Sequence, residues 1–532
     1  MKLELKFIEE KISNQEVICR SDQPAKKLIF LVHGWTTSAT RYSALINEMS
    51  ATAEFDEYDF FAFDYSKMGG RFSNSKPEEI AGTICEAIRF QMRLNDYSSI
   101  ILGGWSLGGV LLREAILRDI EQPGEDGFFE KIERVVLLAS TNRGFVVSRW
   151  WQKLLMPVIH ALPVCGLIKS GLRGAPFILN LRLKWIRQFE SKTSLDAPDT
   201  VQVRGSLDKI VSSDDSADIF RYKNSSSFEV PGIDHFGLVD VRSNKCVHFL
   251  AIKSAFLDEM QETEKLFESP KEHFVFLVHG IRDYGGWTRV VSEELKGINP
   301  SLRDFSFRYG YFNILHFLLP AVRKNRARQF VDRYANEFSK NPESTFHFVG
   351  HSNGTFLLAE ALKTYPGVQF ESVYLAGSVV SGRFNWLRVF EREQVKRLRN
   401  DRANKDTPVG FLCGFLKSFY PDLGLGGFRG FQRLPTENAY ELDWVEGGHG
   451  EAVSGQKRAS SIARWVLENE TTLVEPKTSE PKTWMNWLSK LALPVGLAAI
   501  VLLVYLGVLA AQGGIIWSVV FVCVLLIILL FI

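Results

Sequence analysis

The sequence has few of the residues that mark a metalloprotein or a disulfide-stabilised secreted protein. It contains only six cysteines among 532 residues, none of them at CxxC spacing. Its 10 histidines are dispersed and include no HExxH motif. Scattered thiols are typical of core positions in a reducing compartment, and dispersed histidines give no zinc ligand set. We therefore expect neither a disulfide framework nor a metal site.

A strong overall charge is also missing. The formal net charge is only +2, so nothing in the bulk composition indicates nucleic-acid binding. The first residues, MKLELKFIEEKISNQ, alternate in charge and lack the apolar run of a secretory signal. The C-terminal end differs from the rest of the chain, because residues 491–532 contain no charged residue at all.

This uncharged end predicts a membrane anchor. Two apolar runs, 491–511 and 515–532, are separated by a Gln-Gly-Gly turn. At about 1.5 Å per residue, each run can cross about 30 Å of hydrocarbon as a helix. The alternative is a helical hairpin buried in a globular core. Lys482 and Lys490 precede the hairpin and no charge follows it, so the positive-inside rule predicts an inner-membrane protein whose preceding domains lie in the cytoplasm.

An internal repeat organises the rest of the chain. The apolar runs LIFLVHGW and FVFLVHGI each read as a buried strand that ends in a His-Gly loop. Ser106 lies 73 residues after His33, and Ser352 lies 73 residues after His279. A repeat of this length is a duplicated domain and not a solenoid unit.

The pattern between the repeated motifs predicts the fold class of both copies. Helical stretches such as Pro77–Leu94 carry an apolar stripe and alternate with short apolar strands. This alternation predicts mostly parallel sheets flanked by helices. We place the first domain at residues 1–262, the second at 268–468 and a polar linker at 469–489.

Both copies contain a G-x-S-x-G motif, at Gly104–Gly108 and at Gly350–Gly354. A nucleophilic serine needs a tight, strained strand-to-helix turn that exposes its hydroxyl, and flanking glycines remove clashes across that turn. Each motif follows an apolar strand and precedes an amphipathic helix. The alternative reading is a pair of glycine-rich turns without chemistry.

These motifs resemble the α/β-hydrolase superfamily, and the first copy resembles its lipase-like serine esterases. The resemblance is carried by VHGW at Val32–Trp35, GWSLGG at Gly104–Gly109 and LLASTNRG at Leu137–Gly144. It covers most of residues 25–240 and recurs more weakly over 270–455. It implies two tandem α/β-hydrolase domains that precede the membrane hairpin.

The resemblance also implies an oxyanion hole in each domain. The loop after the first strand would supply one backbone N–H, from Trp35 or Ile281. The residue after the serine, Leu107 or Asn353, would supply the second. Trp105 departs from the family, which usually has histidine before the nucleophile. The histidines of the two His-Gly loops are expected to be structural: His33 and His279.

The catalytic acid and base of the first domain follow from the family order Ser, Asp, His. Gly205-Ser-Leu-Asp208 resembles the family's acid-bearing turn, so Asp208 is the predicted acid. His235 follows a later strand and is the predicted base, which must be oriented by a third group. The competing carboxylates of this region are Asp214, Asp215 and Asp234.

In the second domain, Asp406 matches Asp208 by motif and is the predicted acid. Asp401 and Asp443 remain alternatives. His449 is the predicted base, since no other histidine follows Ser352.

The two domains differ in the segments around the predicted sites. Ser106 and Asp208 are 102 residues apart, whereas Ser352 and Asp406 are only 54 apart. The difference is mainly an insertion at about 145–189, which is apolar and basic and contains no Asp or Glu. It predicts a lid that contacts an anionic bilayer, or alternatively a cap that packs on its own domain.

These features together predict a membrane-anchored serine hydrolase that cleaves carboxylic esters, with a lipid acyl ester as the expected substrate. Such chemistry needs no metal and no organic cofactor. In the second domain, the apolar stretch Phe411–Phe431 is a candidate acyl pocket. One alternative is a thioesterase or amidase acting on soluble acyl substrates. The other is a membrane-tethered scaffold or sensor in which one or both domains are inactive.

Overall fold

A computed structural model describes residues 25–70, 73–145, 166–190, 197–211, 225–241, 247–257, 272–281, 286–307, 314–435, 437–470, 480–481 and 483–522. The chain divides into two compact units. The first comprises Met1–Glu268 with Ala335–Pro342, and the second comprises Ser269–Tyr334 with Glu343–Ile532.

The first unit contains a six-stranded, fully parallel sheet flanked by helices. Its strand order is β2-β1-β3-β4-β5-β6. The strands are β1 Lys27–Val32, β2 Tyr58–Phe63, β3 Ser99–Trp105, β4 Ile132–Leu138, β5 Asp199–Gly205 and β6 Ser225–Val230. The α-helices are α1 Ser43–Ser50, α2 Pro77–Asn95, α3 Leu107–Glu121, α4 Gly166–Gly171, α5 Pro176–Glu190 and α6 Val247–Leu257.

The second unit has a parallel sheet with the corresponding order, β8-β7-β9-β10-β11-β12. Its strands are β7 His273–Val278, β8 Arg303–Phe307, β9 Thr345–His351, β10 Phe370–Ala376, β11 Val395–Ala403 and β12 Ala439–Val445. Its α-helices are α7 Gly286–Ile298, α8 Ile314–Leu318, α9 Pro320–Lys340, α10 Asn353–Thr364, α11 Trp386–Glu391, α12 Gly414–Leu416, α13 Gly426–Arg429, α14 Gln456–Glu468, α15 Thr483–Lys490 and α16 Ala492–Gln512. The last residues of α9, from Ala335 onward, are assigned to the first unit. A π-helical turn, Pro408–Cys413, precedes α12.

The central strands are apolar on both faces because each sheet is covered on both sides. In β1, Leu28, Phe30 and Val32 join one hydrophobic cluster, while Ile29 and Leu31 join another. Successive side chains of a strand point to opposite faces, so a continuous apolar run fills two cores at once. The run LIFLV is therefore a strand between two helical layers, as the sequence predicts.

The C-terminal end differs from the sequence prediction at the linker. Residues 483–490, inside the predicted linker 469–489, form helix α15. Among the described residues, one helix is long and apolar enough to cross a membrane, α16, and its side chains are mostly exposed. The second predicted span begins at 515 as helix, but residues 523–532 lie outside the described part of the chain.

Candidate active site

Each predicted nucleophile occupies a one-residue turn between a strand and a helix. Ser106 separates β3 from α3 with φ 54° and ψ −125°, and Ser352 separates β9 from α10 with φ 53° and ψ −123°. Residues with side chains rarely adopt such a positive φ, which costs about 1–3 kcal/mol. The strain and its repetition in both domains are typical of a nucleophile elbow.

The second glycine of each motif is required by close packing. A Cβ at Gly108 would lie 2.2 Å from the carbonyl oxygen of Val32, and one at Gly354 would lie 2.3 Å from that of Val278. The helix after each serine therefore begins directly against the first strand of its sheet. Only glycine permits this approach, which explains the second glycine of G-x-S-x-G.

The predicted acid and base of the first domain meet the serine at the carboxyl edge of the sheet. Asp208 follows β5 and His235 follows β6. His235 Nδ1 lies 2.7 Å from Asp208 Oδ2, and His235 Nε2 lies 2.9 Å from Ser106 Oγ. The Asp208 side chain is fully buried, and that of His235 is 6% exposed. The tertiary fold thus joins three predicted residues into one hydrogen-bonded chain.

The environment of Asp208 favours its ionised form. Burial acts to raise the pKa of this carboxyl, but the hydrogen bond and the charge of His235 outweigh it and lower the pKa. The backbone N–H groups of Ile210 and Val211 donate to Asp208 Oδ1 at 2.8 and 3.0 Å and act in the same direction. An ionised carboxylate at this position can stabilise the imidazolium of His235.

The second domain brings its predicted acid and base together in the same way. His449 Nδ1 lies 3.0 and 2.9 Å from the two carboxylate oxygens of Asp406, which is fully buried. Val409 N–H donates to Asp406 Oδ1 at 2.9 Å. Among the described residues, however, no hydrogen bond joins His449 to Ser352 Oγ. The His449 side chain is also 21% exposed, so the second site is less enclosed than the first.

A contact that sequence reasoning missed fixes the backbone of each predicted base. The indole N–H of Trp105 donates to the carbonyl oxygen of His235 at 3.2 Å. His351 Nε2 donates to the carbonyl oxygen of His449 at 3.0 Å. Trp105 and His351 both directly precede their serine and both carry a ring N–H. This shared feature is the sequence signal that could have predicted the contact. The unusual Trp105 thus makes the same contact as the histidine in the second copy.

The competing carboxylates that the structure describes have other partners. Asp234 accepts a hydrogen bond from the backbone N–H of Gly237 at 2.7 Å. Asp401 accepts two hydrogen bonds from Arg399, at 2.8 and 2.9 Å, and one from the Tyr374 hydroxyl. The remaining alternatives fall outside the described residues or side chains: Asp214, Asp215 and Asp443.

The predicted oxyanion-hole residues stay predictions, but the structure locates all four. Leu107 and Asn353 are buried and begin the helices that follow the serines. Trp35 and Ile281 are half-buried and follow the first strand of their sheets.

The two histidines of the His-Gly loops contact the backbone around them. His33 Nδ1 donates to Gly34 O at 2.8 Å, and its Nε2 accepts from the backbone N–H of Tyr65 at 3.1 Å. Burial lowers the pKa of His33 and favours the neutral ring that these contacts need. His279 Nδ1 donates to Gly280 O at 2.9 Å. These contacts suit the expected structural role.

The described half of the predicted lid packs on its own domain. Residues 146–165, with Arg149 and Lys153, lie outside the described part of the chain. In α5, five apolar side chains join the hydrophobic cluster that contains α2 and α3: Phe177, Ile178, Leu181, Trp185 and Phe189. These side chains are therefore not available to a bilayer, which agrees with the alternative reading of the lid.

Two of the six cysteines lie in the described residues, and both are buried free thiols. Burial raises the pKa of Cys85 to about 12 and also raises that of Cys413. A buried thiol with a raised pKa is a poor nucleophile. Among the described residues, no group of three or more His, Cys, Asp or Glu side chains could hold a metal ion.

No protein-family profile and no curated protein sequence matches the chain. Similar solved structures are α/β-hydrolases, and two parallel six-stranded sheets fit that fold. The mature lipase of Bacillus licheniformis is 16% identical over 42% of this chain and 89% of its own, with a TM-score of 0.30. The peroxisomal α/β-hydrolase of Saccharomyces cerevisiae is 12% identical over 47% and 87%, with a TM-score of 0.31.

A monoacylglycerol lipase of Paleococcus ferrophilus is 18% identical over 42% of this chain and 89% of its own, with a TM-score of 0.28. At these identities and TM-scores the similarity adds no argument about function. A functional proposal therefore rests on the two sheets and on the contacts around Ser106 and Ser352.

Proposed function

We propose that this chain is a membrane-anchored serine hydrolase that cleaves carboxylic esters with an acyl chain. The observation that carries the proposal is the position of His235, hydrogen-bonded to Ser106 Oγ at 2.9 Å and to Asp208 at 2.7 Å. A serine hydroxyl becomes an effective nucleophile when a base of this geometry accepts its proton. The strained turn at Ser106 supports the same role.

In the proposed reaction, Ser106 Oγ attacks the acyl carbonyl carbon while His235 Nε2 accepts the hydroxyl proton. Asp208 stabilises the resulting imidazolium. The backbone N–H groups of Leu107 and Trp35 would hold the oxyanion of the tetrahedral intermediate. When that intermediate collapses, the leaving alcohol takes the proton from His235. Water, activated by His235, then releases the carboxylic acid and restores Ser106.

The second domain would use Ser352, His449 and Asp406 in the same roles. Its acid–base pair is already assembled, at 2.9 and 3.0 Å. Catalysis at the second site would also require the His449 ring to approach Ser352 Oγ when substrate binds. Catalytic hydrogen bonds often tighten in this way in the substrate complex. The second site is therefore the weaker half of the proposed tandem pair.

Membrane anchoring is proposed from helix α16. Its length and its mostly exposed apolar side chains fit a bilayer better than water. The lysines before it, Lys482 and Lys490, place the catalytic domains on the cytoplasmic side of an inner membrane in this proposal. The run 515–532 would return the chain to the same side.

Labelling with a fluorophosphonate probe tests the hydrolase proposal directly. We expect Ser106→Ala to remove the main label and Ser352→Ala to remove a weaker one. Loss of all label in Ser352→Ala alone would reverse the ranking of the two sites. No label on either serine would contradict the proposal and favour an inactive, membrane-tethered scaffold. Comparing ester, thioester and amide substrates then identifies the bond that is cleaved.

A further inference from the structure

Helix α16 is packed against a segment that borders the second candidate site. The contacted region, here called the cap segment, is Pro408–Phe431. A Cβ at Gly496 would lie 2.2 Å from Phe415 Cδ2, and one at Gly414 would lie 3.2 Å from the Ala492 Cβ. The first turns of α16 therefore touch the cap segment closely.

The buried residues of α15 and α16 form one continuous face. Met485, Ser489, Ala492 and Gly496 are spaced by four, three and four residues, as on one side of a helix. Met485, Ser489 and Ala492 are at most 3% exposed. Since this face is occupied by protein, only the other sides of α16 are free to contact lipid.

The cap segment borders both halves of the second catalytic pair. At its beginning, the backbone N–H of Val409 donates to the Asp406 carboxylate at 2.9 Å. Near its end, Gly427 N–H donates to Ser378 O at 2.7 Å. Ser378 follows Gly377, where a Cβ would lie 2.8 Å from the His449 ring. The anchor thus contacts a segment that lies beside the acid and near the base.

Exposed aromatic side chains surround this contact. Phe419 is 54% exposed, and its ring lies 5.2 Å from that of Phe415, which touches α16. Trp484 and Trp487 are 56% and 60% exposed, and Lys490 Nζ lies 5.7 Å from the Trp487 ring. Tryptophan beside lysine at the start of an apolar helix is typical of the membrane–water interface.

The same region also carries positive charge. Lys417, Arg383 and Arg429 are exposed. Lys417 and Arg429 belong to the cap segment itself, and partial burial, followed by the charges of Arg429 and Arg383, lowers the pKa of Lys417. Anionic headgroups relieve this kind of repulsion, and each cation near such a surface adds about 1 kcal/mol of attraction.

The level along α16 at which Phe415 contacts the helix fits the membrane–water interface. Gly496 is four residues past Ala492, which corresponds to about 6 Å along the helix axis. Phe415 contacts α16 at this level, so Phe415 and the neighbouring Phe419 would reach the boundary between headgroups and acyl chains. Interfacial apolar faces are buried to about 5–10 Å.

We infer that the cap segment, α15 and the first turns of α16 form a bilayer-docking surface, and that the second site takes acyl-bearing amphiphiles from an anionic leaflet. The inference rests on the proposed hydrolase function and adds the surface and the substrate source. Docking by the anchor fixes the orientation of the second site on the bilayer, and orientation raises the effective concentration of membrane substrate.

The activity test uses the full chain with Ser106→Ala, so that only the second site acts. The chain is reconstituted in vesicles of phosphatidylcholine and phosphatidylglycerol that contain a fluorogenic long-chain ester. Gly496→Leu, which clashes with Phe415, is expected to lower this hydrolysis about tenfold, because the site loses its fixed orientation. Hydrolysis of a water-soluble butyrate ester is expected to stay unchanged.

Ala499→Leu is the matched control, because it adds the same side chain at an exposed position of α16. It should change neither rate. Two results would overturn the inference: an unchanged vesicle rate in Gly496→Leu, or a parallel loss of both rates.

A crosslinking measurement keeps the docking surface testable without activity. Photoreactive benzoylphenylalanine in place of Phe419 should crosslink to phospholipid, and Gly496→Leu should reduce the yield. The same group in place of Tyr440, which is 40% exposed at the amino end of β12, is the control and should give no lipid adduct.

Each outcome of the crosslinking measurement has a definite meaning. No adduct at 419, or an equal adduct at 440, would overturn the docking surface. An equal yield at 419 in vesicles of phosphatidylcholine alone would overturn the anionic preference. If the Ser106→Ala chain cleaves neither ester while the 419 adduct forms, the hydrolase proposal fails for this site and the docking surface stands.

Discussion

In the first domain, the His235 ring is hydrogen-bonded to both Ser106 and Asp208, whereas the described hydrogen bonds of the His449 ring in the second domain reach Asp406 and not Ser352. The backbone at the two serines does not distinguish the sites, because their φ and ψ angles are nearly identical. The rings differ in exposure, at 6% for His235 and 21% for His449. Two similar frames therefore hold one Ser–His–Asp chain of hydrogen bonds and one His–Asp pair.

The segments that cover the two candidate sites also differ. The described half of the first lid is part of the core of its own domain. The second cap segment instead contacts helix α16 through Phe415 and Gly414. The described half of the first cover is thus part of its own domain's core, whereas the second lies against a helix from the C-terminal end of the chain.

Removing the acid of each triad is the strongest way to test this contrast. In a chain with Ser352→Ala, Asp208→Asn should lower kcat on a soluble ester about 10⁴-fold, because the base loses its orienting carboxylate. Asp406→Asn in a Ser106→Ala chain is the matched measurement on the second site. A much smaller loss for Asp208→Asn would contradict a working triad in the first domain.

Gly377→Ala sharpens the comparison at the second base. Gly377 has φ +50°, and an added Cβ would lie 2.8 Å from the Cε1 atom of His449. We expect the displaced ring to lower the second-site rate about 100-fold. The control is Ala139→Gly in the first domain, where Ala139 follows β4 with φ 46°. We expect this substitution to change the first-site rate by less than about twofold. Equal rates for Gly377→Ala and wild type would show that His449 is not the base.

The stability of the second cap depends on a buried arginine. Arg323 is fully buried, pairs with Asp422 at 3.4 Å, and lies 5.0 and 5.1 Å from the rings of Tyr420 and Phe356. Arg323→Ala should lower the unfolding free energy of the second domain by about 2–3 kcal/mol, because Asp422 loses its partner and the rings lose contacts. Urea unfolding measures this change. The exposed Arg289→Ala is the control and should leave the midpoint unchanged.

The smallest expected effect is on acid stability. The pKa of Asp208 is lower in the folded state than in the unfolded chain, so its ionised form contributes stability above the unfolded-state pKa. That contribution is lost as pH falls through the lowered folded-state pKa. Asp208→Asn should therefore reduce the difference in unfolding free energy between pH 7 and pH 3. An unchanged difference would show that Asp208 is not ionised in the fold.

Many of the strands and the two serine turns could be predicted from local sequence patterns. The run LIFLV is apolar at every position, so it had to lie between two helical layers, and it is β1. The glycines that flank Ser106 in Gly104–Gly108 predicted a tight turn, and the close approach of Gly108 to the Val32 carbonyl oxygen agrees with it. The residue types and their order along the chain also predicted Asp208 as the acid and His235 as the base.

The contacts between distant residues could not be predicted in this way. Trp105 reaches the carbonyl oxygen of His235 across 130 residues of sequence, and neither residue's neighbours specify that hydrogen bond. The predicted linker gave no sign that Met485 and Ser489 would be buried, because its composition is polar. An apolar lid sequence likewise fits a bilayer or a core equally well.

By itself, the sequence determined two parallel-sheet frames, two strained serine turns and an uncharged C-terminal end. These follow from hydrophobic period, glycine positions and missing charge, which are local properties of the chain. Only the tertiary structure decided that the His235 ring reaches Ser106 while the described hydrogen bonds of the His449 ring reach Asp406 and not Ser352, and that α16 packs against the cap segment. Such pairings depend on strand register and on which apolar face each helix covers, and composition does not encode either of them.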